Sequence, residues 1–429
     1  MSTCGGGSFA SMSTAPGPTA QIIAIGSEML TPEKVDTNSL FLTQQLNNLG
    51  ITVTGKQVVG DNIHLIAEAV MLCLVRSDMV IISGGLGPTE DDLTREAVAQ
   101  ALGRGMLFHE EILEGIRERF RRFNRPMTDR NRKQAFVIDG ATVLPNPNGT
   151  APGQVAEIDG KLVFLLPGPP RELMPMVIDQ CVPLWRAHFP SRVLRTFTFR
   201  IAGLGESEVD DRVAPIYTRF TNPETTILAS AGDITLQFRA IADSEEEAQR
   251  MLAAVAEPIR AEMGASIYSD NGDSLEAAVL RLLLQKNATL GVAESCTGGS
   301  LAARITDVPG ASEAFLGGFL VYTEAQKIGL LGVDAAMLEE HTAVSEQVAI
   351  ALAANTRERT GAAYALSVTG YAGPTGGTER DPVGTVYIGL ASPTQVRAKR
   401  LRFTGDRERV RRLATQYALD LLRIDLLAS

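Results

Sequence analysis

The chain has 429 residues, 45% hydrophobic and 21% charged, with a formal net charge of -10. At roughly 100–200 residues per domain, this length predicts two to four domains, each able to bury a core. The acidic balance argues against direct nucleic-acid or anionic-membrane partners, and no apolar run reaches the roughly 18 residues that a bilayer span requires.

Residues 1–20 are rich in Ser, Gly, Thr and Pro and lack the basic start and apolar stretch of a signal peptide, so a disordered tail is expected there. QIIAIG at 21–26 reads as a buried strand and 38–49 as a helix closed by Gly50. Strand 51–59, helix 63–76, strand 78–85 and helix 94–102 come next. This alternation predicts βαβ units and a parallel sheet. A charged helix at 110–122, a loop-rich stretch at 141–153 and a strand-turn-helix at 161–173 complete a first domain, 21–192. Residues 193–268, with strand-like TFTFRIAGLGES and DITLQFRAIADS and helices at 206–217 and 245–262, read as a small α+β domain. Residues 269–429 carry a second α/β pattern: helix 275–284, strand ATLGVAES, a helix opening at 299–306, strand AFLGGFLVY, helix 346–359, strands YALSVTGYAG and GTVYIGLAS, and a last helix at 406–422. The fold class is therefore α/β, with two separate α/β domains joined by a small α+β domain. Cys4, Cys73, Cys181 and Cys296 lie far apart with no metal-ligand spacing, which predicts reduced thiols in a cytoplasm.

In the first domain the run Ser83–Thr94 (SGGLGPTEDDLT) comes directly after a strand. Gly84, Gly85, Gly87 and Thr89 can cradle a phosphate through backbone N–H groups, and Asp91 and Asp92 are hard oxygen ligands for a divalent cation bridging a diphosphate. The same residues read equally as a loop with an acidic helix start. Gly26-Ser27-Glu28, Asp36-Thr37-Asn38, Asn148-Gly149-Thr150 and the loop holding Gly168 also end strands or open helices, and are expected to converge at one sheet edge.

These motifs resemble the molybdopterin-binding (MoaB/MogA-like) fold as it stands at the N-terminus of the CinA family, over about 21–190. The resemblance implies an ADP-ribose pyrophosphatase using a divalent metal. Two departures stand out: GSEML carries Ser27 where the family has Asp, and the RQA motif reads NRKQA.

In the last domain Ala293–Ser300 (AESCTGGS) joins a strand to a helix. Thr297, Gly298 and Gly299 offer free amides to an anion, while Ser295 reads as a nucleophile or as a helix cap. Tyr322 and Lys327 come after the next strand; a lysine near a serine serves as its base once burial lowers its pKa. Thr369, Gly370, Ala372 and Gly373 end another strand in a tight turn suited to holding a carboxamide or an oxyanion. Arg407, opening the last helix, reads as a phosphate contact or as a surface arginine. Cys296 lies beside Ser295, but neither a His nor a third orienting group is evident near it.

AESCTGG, FLVYTEAQK, AVSEQVA, SVTGYAGPTGG, PVGTVYIGLA and FTGDRERVR, in this order, resemble the C-terminal, PncC-like nicotinamide-mononucleotide amidohydrolase domain of the CinA family. The resemblance implies hydrolysis of nicotinamide mononucleotide to nicotinate mononucleotide and ammonia. Ser295 and Lys327 would be the catalytic pair, Tyr322 and Thr369 its support and Arg407 a substrate contact, with no cofactor for this reaction. Residues 195–265 resemble the small linking domain of full-length CinA proteins, and the family implies a homodimer. The alternatives are an N-terminal domain that only binds a nucleotide, or a non-enzymatic regulator linked to competence or DNA damage.

Overall fold

A computed structural model of the chain describes residues 17–190 and 192–428. Internal contacts divide it into two compact units. The first runs to Arg195 and takes in Ile241–Gln249; the second consists of Thr196–Ala240 and the chain from Arg250 on. The tail expected over 1–20 lies outside the described residues as far as 16. Its last two residues are a correction: Thr19 and Ala20 belong to the first strand, where the Thr19 amide and hydroxyl both donate to the Asp78 carboxylate at 2.8 and 2.7 Å.

In the first unit the elements run β1 (Thr19–Ile25), α1 (Thr37–Asn47), β2 (Thr52–Val59), α2 (Ile63–Arg76), β3 (Met79–Ser83), α3 (Thr94–Leu102), β4 (Met106–Phe108), α4 (Glu110–Arg122), β5 (Phe136–Ile138), β6 (Thr142–Leu144), β7 (Gly153–Ile158), β8 (Lys161–Leu166), α5 (Pro170–Met176) and α6 (Val182–His188). The main sheet has the order β2-β1-β3-β8-β7-β6. Alternate residues of the central strands feed two cores. Ile23, Val80, Ile82, Val163 and Leu165 pack with α2 and α3 on one face, and Ile22, Ile81 and Phe164 pack with Leu42, Leu46 and Trp185 on the other. A sheet covered on both faces explains the nearly unbroken apolar runs of β1, β3 and β8.

The expected parallel sheet holds for β2, β1, β3 and β8 and fails at the edge, where β7 runs antiparallel to β8 and β6 to β7. The cause is local. Asp159 and Gly160 join β7 to β8 with φ of 49° and 77°, the double left-handed pair of a two-residue hairpin.

The second unit begins within β9 (Val193–Ala202) and continues through α7 (Glu206–Tyr217), β10 (Glu224–Ser230), β11 (Asp233–Ala242), α8 (Glu245–Met263) and β12 (Ile267–Ser269), which form a sheet of order β10-β11-β9-β12 with two helices. Then come α9 (Leu275–Gln285), β13 (Leu290–Glu294), α10 (Ser300–Thr306), β14 (Phe315–Leu320), α11 (Glu324–Leu331), α12 (Ala335–His341), α13 (Glu346–Thr360), β15 (Tyr364–Gly370), β16 (Thr385–Ala391), β17 (Val396–Arg402) and α14 (Arg407–Ala428). Their sheet has the order β14-β13-β15-β16-β17. The middle region has its own sheet but makes one compact unit with the C-terminal region. Arg423 donates to the Ala265 carbonyl at 2.7 Å, and Gln416 donates to that of Gly232 at 3.2 Å. Among the described residues, no helix is long and apolar enough to cross a membrane, and Cys73, Cys181 and Cys296 are free and buried.

Candidate active site

Strands β14, β13 and β15 run parallel, so their C-terminal ends lie side by side, and the Val321 amide donates to the Glu294 carbonyl at 2.8 Å across two of those ends. Such an edge is where open α/β sheets bind ligands. Ser295 comes directly after β13, its amide tied to the Val368 carbonyl at 2.9 Å. Lys327 lies in the first turn of α11, which is capped by the Thr323 side chain. Its Nζ is 3.1 Å from Ser295 Oγ and 2.9 Å from the Val321 carbonyl oxygen.

The pair is enclosed: Lys327 is 1% and Ser295 7% exposed. Burial lowers the Lys327 pKa below its usual value, only partly offset by Glu324 and Cys296. Burial also pushes the Cys296 thiol up to about 12, so it stays protonated beside the serine.

The helix-start anion site expected at Thr297–Gly299 is partly taken within the chain: the Gly298 amide donates to the Ser295 carbonyl at 3.0 Å and the Gly299 amide to Glu294. The carboxylate of Glu294, 2% exposed, accepts from the amides of Gly299 and Leu301 at 3.0 Å each and of Ala302 at 2.8 Å. A buried carboxylate needs such donors, and the first turn of α10 supplies them. Sequence reasoning missed this because Glu294 closes an apolar strand. What remains without a backbone acceptor among the described residues is the pair of amides at Cys296 and Thr297, directly after Ser295. The Thr297 side chain is buried, and Arg411 donates to the Thr297 carbonyl at 2.7 Å. Gly298 and Gly299, with φ of 60° and 93°, allow the chain to turn back for this cap.

Arg407 draws two of the predicted residues together: it donates to the Tyr322 hydroxyl at 2.9 Å and the Gly373 carbonyl at 3.0 Å. Tyr322 is 57% exposed and its hydroxyl meets Arg407, so it lies at a rim. The loop carrying Gly373 is fastened by Asp381, which accepts from Tyr387 at 3.0 Å and Arg400 at 2.8 Å. Three other predicted residues turn inward. The Thr369 hydroxyl donates to the Ala343 carbonyl at 2.7 Å. Ala372 packs in the core, and a Cβ on Gly370 would lie 2.7 Å from the Thr385 carbonyl oxygen.

The N-terminal motifs meet around a cavity of about 700 Å³ at the ends of β1, β3 and β8. Gly84, Gly85, Gly87, Asp91, Asp92, Thr150 and Gly168 line it, together with Gly26, Glu28, Asp36, Asn38 and Asp61. Thr89 does not: its amide and hydroxyl donate to Asp92 at 2.8 and 2.5 Å. Asn148 and Gly149 line a neighbouring cleft instead. At Gly84, with φ of 102°, a Cβ would sit 2.3 Å from the Ile25 carbonyl oxygen, so the turn after β3 requires glycine. Buried Arg95 donates to the carbonyls of Leu86 and Gly87 at 2.7 and 3.2 Å, and Lys133 to those of Thr89 and Asp92 at 2.8 and 2.7 Å. Lys133 of the departing NRKQA motif thus holds the loop from behind. Ser27 and Asp61 are paired: the Ser27 amide donates to the Asp61 carboxylate at 2.7 Å, and the Asp61 amide donates to Ser27 Oγ at 3.1 Å. A carboxylate therefore stands beside Ser27.

Three family models match the chain. "CinA C-terminal domain" covers residues 272–426, "Probable molybdopterin binding domain" covers 21–187, and "Damage-inducible protein CinA KH domain" covers 192–269. A CinA-like protein of Solibacter usitatus is 52% identical over 94% of this chain and 97% of its own length. Another, of Koribacter versatilis, is 47% identical over 95% of this chain and 100% of its own. A crystal structure of a CinA superfamily protein from Escherichia coli is 33% identical, covers 38% of this chain and 97% of that one, and has a TM-score of 0.35.

Proposed function

The chain belongs to the CinA family, and from that premise we propose that its C-terminal part hydrolyses the carboxamide of nicotinamide mononucleotide to nicotinate mononucleotide and ammonia. The carrying observation is the buried contact of 3.1 Å between Lys327 Nζ and Ser295 Oγ. A neutral Lys327 donates one N–H to the Val321 carbonyl and turns its lone pair to the serine hydroxyl. As Oγ bonds to the carboxamide carbon, its proton passes to Nζ. The amides of Cys296 and Thr297, which have no backbone acceptor among the described residues, would receive the developing oxyanion. Nζ then returns the proton to the departing nitrogen, which leaves as ammonia. Water hydrolyses the acyl-serine, releasing the acid and restoring the hydroxyl. The same pair can instead activate a water for one-step attack. Arg407, exposed beside Tyr322, would meet the phosphate, and its charge reaches the Cys296 thiol.

Ammonia release from nicotinamide mononucleotide, with EDTA present, tests this in the wild type, Ser295→Ala and Lys327→Ala. Release by the wild type and a loss of about 10²-fold or more in both variants is expected. No release by the wild type, or full activity in both variants, overturns the reading and leaves a binding or regulatory protein.

For the N-terminal cavity we propose diphosphate hydrolysis of ADP-ribose. The residues there fit a divalent cation: Asp91 and Asp92 are adjacent oxygen donors lining the cavity, and Asp92 engages Thr89 through one oxygen only. Among the described residues no group of three His, Cys, Asp or Glu is gathered for a metal, so phosphate oxygens of the substrate would complete the shell. When bound, such a cation neutralises the charge developing on the diphosphate. The protein's own part is to orient that group with the glycine-loop amides and to hold the loop with Arg95 and Lys133.

A further inference from the structure

A second cleft, of about 730 Å³, shares Thr150 and Glu172 with the N-terminal cavity. Arg119, Phe120, Phe123, Arg125 and Arg171 make up most of its remaining wall. Its charge is unusual for this acidic chain. On α4, Arg117, Arg121 and Arg122 are ion-paired with Glu110, Glu114 and Glu118. Arg125 and Arg171 make no ion pair among the described residues, and Arg119 meets only the Pro147 carbonyl and the Phe123 ring. The one carboxylate in the wall, Glu172, accepts from the Asn146 side chain at 2.9 Å. Phe123 is 65% exposed, with the Arg119 guanidinium 5.6 Å from its centroid.

Arginines free of carboxylates match phosphate oxygens, and an open aromatic ring beside them offers a stacking face to a base. We propose that this cleft binds a nucleoside monophosphate group, with the base on Phe123 and the phosphate between Arg125 and Arg171. The assignment stands on the cleft's own residues, so failure of the pyrophosphatase reading next door leaves it intact.

The test uses the full chain with AMP and its 8-azido photolabel. Saturable labelling of the wild type is expected to map to the segment 120–125 or to that around Arg171, with excess AMP protecting. The double variant Arg125→Ala/Arg171→Ala should lose about tenfold or more in AMP affinity. Phe123→Ala should weaken AMP by about tenfold while leaving competition by inorganic phosphate unchanged. All three side chains are on the surface, so an unchanged melting curve checks the fold. Label found only at 84–92 or around Ser295, no saturable label in the wild type, or unchanged affinity in the double variant overturns the proposal.

Discussion

Lys327 is a buried amine that no carboxylate ion-pairs among the described residues, and this makes its behaviour with pH distinctive. Its folded-state pKa is lowered, so the protein holds it neutral at pH values where free lysine, near 10.4, is still charged. The rate of the proposed deamidation should therefore rise with pH through a midpoint below the ordinary lysine range, read from a pH profile of kcat/KM. Lys327→Arg keeps a charge that cannot be shed, and activity should stay near background at every pH. Stability has the same sign. The unfolded chain binds the proton that the folded one excludes, so stability rises with pH from the lowered pKa up to the ordinary value. Lys327→Met should thus melt higher than wild type at pH 7, and the gap should shrink by pH 10 in thermal unfolding. A gap that widens with pH would mean that burial is not what lowers this amine's pKa.

At the scale of elements, the first turn of α10 hangs on one carboxylate. Glu294→Ala strands three amides, one of them fully buried, and a loss of about 2–4 kcal/mol is expected in denaturant unfolding. Glu294→Gln should lose less, because one acceptor oxygen remains.

Most elements could be read from the chain, because buried strands and amphipathic helices announce themselves by period. Helices 63–76, 94–102 and 110–122 fall where their apolar spacing puts them. The elements that escaped have no such signal. β17 is VRAKRLR, a charged edge strand whose place is set by pairing with β16. β7 carries its signal in the Asp159-Gly160 turn rather than in its own residues. At the site, Ser295 and Lys327 were legible as a pair from their motifs. The role of Glu294 was not, because cap geometry depends on which amides a strand end faces. Asp61 escaped for a similar reason, since it meets Ser27 from 34 residues away, and Arg95 escaped because its inward turn onto the Leu86 and Gly87 carbonyls has no signal in the helix period.

At the scale of the whole molecule, the two proposed activities are assigned to residues of different compact units. Changes at sites with no shared partners add independently. EDTA should therefore abolish ADP-ribose hydrolysis and spare ammonia release, while Ser295→Ala should do the reverse, both measured on one preparation. Loss of both activities in either arm would show a coupling that separate sites do not explain.

The boundary between the units also decides how the protein can be dissected. The backbone passes from one unit to the other three times, after Arg195, after Ala240 and after Gln249. A fragment ending at Arg195 leaves behind the segment whose Asp243 and Glu245 pair with Arg192 and Arg195. The complementary fragment carries that segment with nothing to receive it. Nicking by a protease in any one of the three passages leaves the halves still joined by the other two. A single scissor point, in the gene or in the polypeptide, therefore does not yield both halves intact, and the N-terminal one is better obtained by grafting 241–249 back through a designed linker.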